Sequence, residues 1–164
     1  MAAGHLASMY AYGKGVEQSD TIARSYYESA VQLGDVDSAH VLAQWLVSGR
    51  GGPVDVDRAF ELNMGAAHRG VPIAMYAVGV HFQSGEGAPQ DYGDALWWYK
   101  RAAESGVIPA CSNAANMFLL GIGVHKDLEK AAQFFKMGAD AGDEECRQQY
   151  AQTMELIKNG GSGN

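Results

Sequence analysis

Three residue types in this chain have the chemistry to build a site. The histidines His5, His40, His68, His81 and His125 could hold a metal or move protons. A helix presents two imidazoles on one face only at a spacing of three or four residues, and no pair among them has that spacing. Cys111 and Cys146 fall in no Cys-x-x-Cys or Cys/His ligand pattern, so two free thiols are expected and no metal site. Glycine pairs such as Gly85 and Gly87, in the stretch GEGAPQDYGDALWWYKRAAESG, could cradle a phosphate on the amides of a following helix. They lack the third glycine of a dinucleotide loop and any Gly-Lys-Ser/Thr, and they follow helices rather than strands. The tail Gly160-Gly161-Ser162-Gly163 ends on Asn164 where a nucleophile elbow needs glycine. Carboxylates gather at helix starts, where capping explains them without acid-base catalysis. The expectation is a protein that is not an enzyme and uses no cofactor.

The elements that would position any site follow from the glycines. The chain has 164 residues, 47% of them hydrophobic, with 21 glycines against 4 prolines, which points to regular punctuation of many short elements. Gly34, Gly70, Gly106 and Gly142 stand 36 residues apart, and the pairs Gly13/Gly15, Gly49/Gly51, Gly85/Gly87 and Gly121/Gly123 keep the same period. So does the series Ala23, Ala59, Ala95 and Ala131. Four copies of one pattern make turn geometry the reason for the glycine pairs.

Each unit reads as two helices. The first carries small or apolar residues at i, i+3, i+4 and i+7, as Ala39, Leu42, Ala43 and Leu46, or Met75, Val78, Gly79 and Phe82. Ala3, Leu6, Ala7 and Tyr10 repeat the stripe, as do Cys111, Ala114, Ala115 and Phe118. The second begins near Asp20, Asp57, Asp91 or Asp127 and runs to the closing glycine, which suits the left-handed position past a helix end. Pro72 and Pro109 suit the first turn of the next helix. Residues 143–158 continue the first-helix stripe as a capping helix, and 159–164 form a flexible tail.

These residues resemble the Sel-one-like repeat (SLR) family. Copy one gives Leu6, Tyr10, Gly13, Gly15, Val16, Ala23, Tyr26, Tyr27, Ala30 and Gly34. Copy three gives Ala95, Trp98, Tyr99, Ala102, Ala103 and Gly106, and copy four gives Gly121, Gly123, Val124, Asp127, Lys130, Ala131, Phe134, Phe135, Ala139 and Gly142. The resemblance implies an all-α fold, a right-handed α/α superhelix close to tetratricopeptide arrays, with first helices on the concave surface. It would comprise repeats 1–34, 35–70, 71–106 and 107–142 in one domain over 1–158. Copy two departs from the pattern, with Gly51-Gly52-Pro53 lengthening the turn and Leu62-Asn63 replacing the aromatic pair, and looser packing is expected there. The uncapped helix start at residue 2 leads to the expectation of a longer parent protein with a further repeat before this segment.

Composition narrows the partner. A formal charge of −7 and the absence of any basic run argue against nucleic acid. No apolar run reaches the roughly 20 residues of a bilayer span, and the N-terminus lacks a signal peptide's features, so direct membrane insertion is not expected and a cytoplasmic location is. Family members serve in complex assembly, so a protein or peptide partner is implied, held by an adaptor or scaffold.

A second stripe on each first helix should face the concave groove. It comprises His5, Ser8, Met9 and Tyr12; Val41, Gln44, Trp45 and Ser48; Ala77, Val80, His81 and Ser84; and Asn113, Asn116, Met117 and Leu120. Almost uncharged, it suits an extended peptide, with the amides binding its backbone and Trp45, Met9, Met117 and Leu120 receiving its apolar side chains. Trp45 and Asn116 lead the set. Trp98 and Tyr99 share columns with Tyr26/Tyr27 and Phe134/Phe135 and belong to the core. Trp97 shares one with Ser25, Glu61 and Gln133, so it is expected on the convex surface, as a contact or lying flat. The alternatives to a binding groove are a self-associating assembly domain and a targeting appendage of a larger enzyme or of a membrane-protein quality-control complex.

Overall fold

The computed structural model describes residues 2–160. Among them run nine helices: α1 (Ala2–Tyr12), α2 (Asp20–Gln32), α3 (Val36–Ser48), α4 (Val56–His68), α5 (Pro72–Ser84), α6 (Tyr92–Glu104), α7 (Ile108–Leu120), α8 (Leu128–Asp140) and α9 (Glu144–Gly160). Each packs on its neighbours in sequence, which makes a solenoid of helix pairs. The final helix extends to Gly160, two residues past its expected end, and the remaining tail residues lie outside the described chain.

The caps keep the 36-residue period more strictly than the acidic residues do. Ser19, Asp55, Asp91 and Asp127 accept from the amides of Ile22, Arg58, Asp94 and Lys130. Asp20 and Asp57, expected near the starts of α2 and α4, lie just inside those helices and contribute charge to the first turn instead.

The core combines a column of alanines with buried aromatic rings. Ala23, Ala59, Ala95 and Ala131 are fully buried. Leu42, Val78 and Ala114 are buried too, but Leu6 in the same column is exposed, because no second helix lies against that side of α1 among the described residues. Tyr99, with no exposed surface, sits between Gly79 and Tyr76, and its hydroxyl donates to Gln83 Oε1. A Cβ at Gly79 would come 2.6 Å from the Tyr99 ring, so the ring occupies the space a side chain would take.

Burial pushes the Tyr99 phenol up to about 12, with a hydrogen bond from Asn113 pulling the other way. Since the unfolded chain releases this proton near 10, the contribution to stability is complete below pH 10 and is lost as pH rises toward 12. An alkaline spectrophotometric titration is expected to show a tyrosine step near pH 12, and Tyr99→Phe should remove that late step. A titration unchanged by the substitution would refute the assignment.

The junction between the first two repeats differs from the rest. Arg24 is buried in α2 and donates to the Pro53 carbonyl at 2.9 Å, beneath the longer Gly51-Gly52-Pro53 turn. A Cβ at Gly52 would approach the guanidinium at 2.8 Å, so the extra glycine lets the turn close over the arginine. Arg50 pairs with Asp20 at 2.8 Å and Arg58 with Glu28 at 3.3 Å across the same junction. Further ion pairs, Arg24 with Glu28, Lys130 with Asp127, Lys136 with Asp140 and Arg147 with Glu144, each join residues three or four apart in the chain.

Candidate functional site

Equivalent positions of the repeats form columns, and three columns converge where the second and third repeats meet. Tyr27, Asn63, Tyr99 and Phe135 make one; Met9, Trp45, His81 and Met117 the next; Gly4, His40, Tyr76 and Ser112 the third. Between the first and second repeats Tyr27 meets Trp45 edge to face, with ring centres 5.3 Å apart. One repeat later the same two positions hold Asn63 and His81, whose side chains hydrogen-bond at 3.3 Å. Two large rings have been exchanged for two smaller polar groups.

The donors and acceptors of this substitute fit together in one direction. His81 Nδ1 donates to the Glu86 carbonyl at 2.7 Å, so its Nε2 carries the lone pair and accepts from Asn63 Nδ2. Asn63 Oδ1 accepts from His40 Nδ1 at 2.8 Å, and His40 Nε2 accepts from Gln44 Nε2 at 3.1 Å. His40, Asn63 and His81 are all buried, and no buried side-chain nitrogen or oxygen among the described residues lacks a partner. Phe60 closes the far side, its ring edge-on to His81 with centres 5.6 Å apart.

Beside the chain lies a pocket of about 320 Å³ between α3 and α5. Val47, Ile73 and Val80 form its walls, each close to two-fifths exposed, with Ala77 and Tyr76 between them. Gln44, Ser84 and Glu86 stand at its rim. Its size is in the range of small-ligand and side-chain pockets. Asn63 and His81, which stand where the preceding junction has two large rings, form its polar floor together with His40.

The groove stripe is divided by burial. Tyr12, Gln44, Ser48, Val80, Ser84, Asn116 and Leu120 are exposed, as is His5, and Ser8, Met9, Val41, Ala77 and Asn113 are half-buried. Trp45, His81 and Met117 are buried, which corrects the expectation that they lie open on the groove. Their column faces the second helix of the preceding repeat: Trp45 packs on Tyr27 of α2 and is covered by the Arg50 guanidinium, 4.1 Å from its ring. The structure gathers Gln44, Ala77, Val80, His81 and Ser84 at the pocket, and leaves Asn113, Asn116 and Leu120 one repeat away on α7. His40, Val47, Asn63, Ile73, Tyr76 and Glu86 were not among the expected site residues. Trp97 is 48% exposed on α6, with the Arg101 guanidinium 4.7 Å from its ring.

The thiols take no part in this site. Cys111 and Cys146 are both free and buried, and burial pushes both up from the ordinary thiol value, which disfavours the reactive thiolate.

Comparison with known proteins agrees with this architecture. The Sel1 repeat model matches residues 1–35, 36–62, 72–107 and 108–143, the second match ending one residue before Asn63. A crystal structure of a Sel1 repeat protein from Oxalobacter formigenes is 30% identical over 92% of this chain, with TM-score 0.86. The structure of c5321, a protective antigen present in uropathogenic Escherichia coli strains and displaying an SLR fold, is 28% identical over 92% of this chain, with TM-score 0.90. The chain spans 62% of the first and 32% of the second. Helicobacter pylori cysteine rich protein B shares the fold, with TM-score 0.63 at 18% identity over 76% of this chain and 95% of that one. No curated protein matches the chain significantly.

Proposed function

From the premise that this chain belongs to the Sel1 repeat family, whose members are generally helical scaffolds for protein–protein contact, we propose that it is a non-catalytic adaptor holding an extended protein segment in its concave groove. The observation that carries this reading is the pocket between α3 and α5. Its apolar walls are open to the groove and its polar floor is internally satisfied. A floor whose hydrogen bonds are already made costs nothing further to cover, so a partner's side chain can displace water from the walls without orphaning His40, Asn63 or His81. The exposed amides of Gln44 on α3 and Asn116 on α7, in one column with Val80 of α5 between them, suit an extended backbone running across the repeats.

The test is a peptide selected from a random-sequence display library on the whole chain. Its binding is expected to fall at least about tenfold on Val80→Trp, which fills the pocket, because a well-packed anchor contributes more than about 1.4 kcal/mol. It is expected to survive Trp97→Ala on α6. Binding lost on Trp97→Ala and kept on Val80→Trp would favour the second reading, self-association or partner contact through the exposed tryptophan, which light scattering across concentration would then examine.

A further inference from the structure

The periodicity that built the pocket also shows what fits it. Lys14, Arg50, Glu86 and Ile122 occupy one column. In the first repeat the Lys14 ammonium lies 5.7 Å from the Tyr12 ring centre. In the second, the Arg50 guanidinium lies over Trp45 at 4.1 Å and pairs with Asp20, so a cation from the chain itself covers that part of the groove. In the third repeat the cation is replaced by a carboxylate, Glu86, and the ring beneath by His81, and here the pocket opens.

We infer that this pocket receives a lysine or arginine side chain from a segment of another protein, which takes the place that Arg50 fills one repeat earlier. The inference rests on the groove reading and adds the chemistry of the occupant. Val47, Ile73, Ala77 and Val80 suit the aliphatic stem of such a side chain. Glu86 suits its charged head: no lysine or arginine lines the pocket, and Glu86 makes no ion pair among the described residues. Gln44 uses its amide nitrogen on His40, which leaves its carbonyl oxygen as a further acceptor at the rim. An acidic occupant would meet a carboxylate there without a compensating cation. A formal charge of −7 on the whole chain draws cationic segments toward it.

The experiment titrates the whole chain with blocked Ala-Lys-Ala, Ala-Arg-Ala and Ala-norleucine-Ala peptides and follows the methyl resonances of Val47, Ile73 and Val80. The cationic peptides are expected to shift these methyls and to bind roughly two- to fivefold tighter than norleucine, which has a similar stem without the charge, an advantage that shrinks with added salt. Glu86→Gln should abolish the advantage while leaving norleucine binding unchanged, and Val80→Trp should abolish all three. Norleucine binding as tightly as lysine at these methyls, or a lysine preference that survives Glu86→Gln, overturns the cationic occupant and leaves the groove reading standing. If no peptide of any charge moves these methyls, both fall.

Discussion

Gly87→Ala is expected to remove roughly 2–5 kcal/mol of folding stability, lowering the thermal midpoint by roughly 5–15 °C. Two effects add at this position. Its φ of +75° lies in the left-handed region, where a side chain costs about 1–2 kcal/mol. In addition, a Cβ there would run into the carbonyl oxygen of Val56, at the start of α4, far inside contact distance. That neighbour is backbone and cannot rotate away, so the third repeat would have to lift off the second. Gly51 stands against the Asp20 carbonyl and Gly123 against the backbone of Tyr92 in the same way, so the second glycine of these pairs is a contact between repeats as well as a turn. Gly106→Ala is the control: its φ is +88°, but nothing lies within 4 Å of the added carbon. It should cost only the backbone strain, about 1–2 kcal/mol. Equal losses for the two variants, measured by chemical denaturation, would show that the contact with Val56 does not matter.

Asn63→Leu is expected to cost roughly 2–5 kcal/mol, because one substitution strands two buried partners, His40 Nδ1–H and His81 Nε2. Each stranded group costs about 1–3 kcal/mol, and the added apolar surface offsets part of the sum. The signature of a hydrogen-bonded chain is non-additivity: His40→Phe, Asn63→Leu and His81→Phe together should destabilise less than the sum of the three alone, since the triple variant unpairs only the Gln44 amide and the Glu86 carbonyl, both on exposed residues. A single Asn63→Leu variant within about 0.5 kcal/mol of the parent would mean the chain contributes no more than an ordinary surface contact.

The fold was legible because it is written four times. One period placed the helix pairs, their closing glycines and the buried alanine column, and it identified Trp98 and Tyr99 as core against Trp97 as surface. The acidic residue near the start of each second helix was legible too: Asp91 and Asp127 are caps and Asp20 and Asp57 stand in the first turn, and only the column Ser19, Asp55, Asp91 and Asp127 tells the two roles apart. The site was less legible for a related reason. The histidine spacing rule examines one helix, and His40 and His81 meet through Asn63 from three different helices, α3, α4 and α5. The usable signal was the departure from each column: an asparagine among Tyr27, Tyr99 and Phe135, a histidine among Met9, Trp45 and Met117, a glutamate after Lys14 and Arg50. Trp45 was misplaced because the column it shares with His81 and Met117 faces the preceding repeat's second helix, which no stripe drawn on a single helix reveals.

The polar first junction bears on how such an array can change by recombination. Arg24 under the Pro53 turn, Arg50 on Asp20 and Arg58 on Glu28 each have one partner in the first repeat and one in the second. A crossover that duplicates or exchanges a unit between these two separates every one of those partners at once and leaves the buried Arg24 guanidinium with Glu28 of its own helix alone. A crossover at residue 71 or 107 breaks no such ionic link. Exchange by whole units is therefore expected to cost more between the first two repeats than at residue 107, while a crossover at residue 71 still parts buried Asn63 from His81.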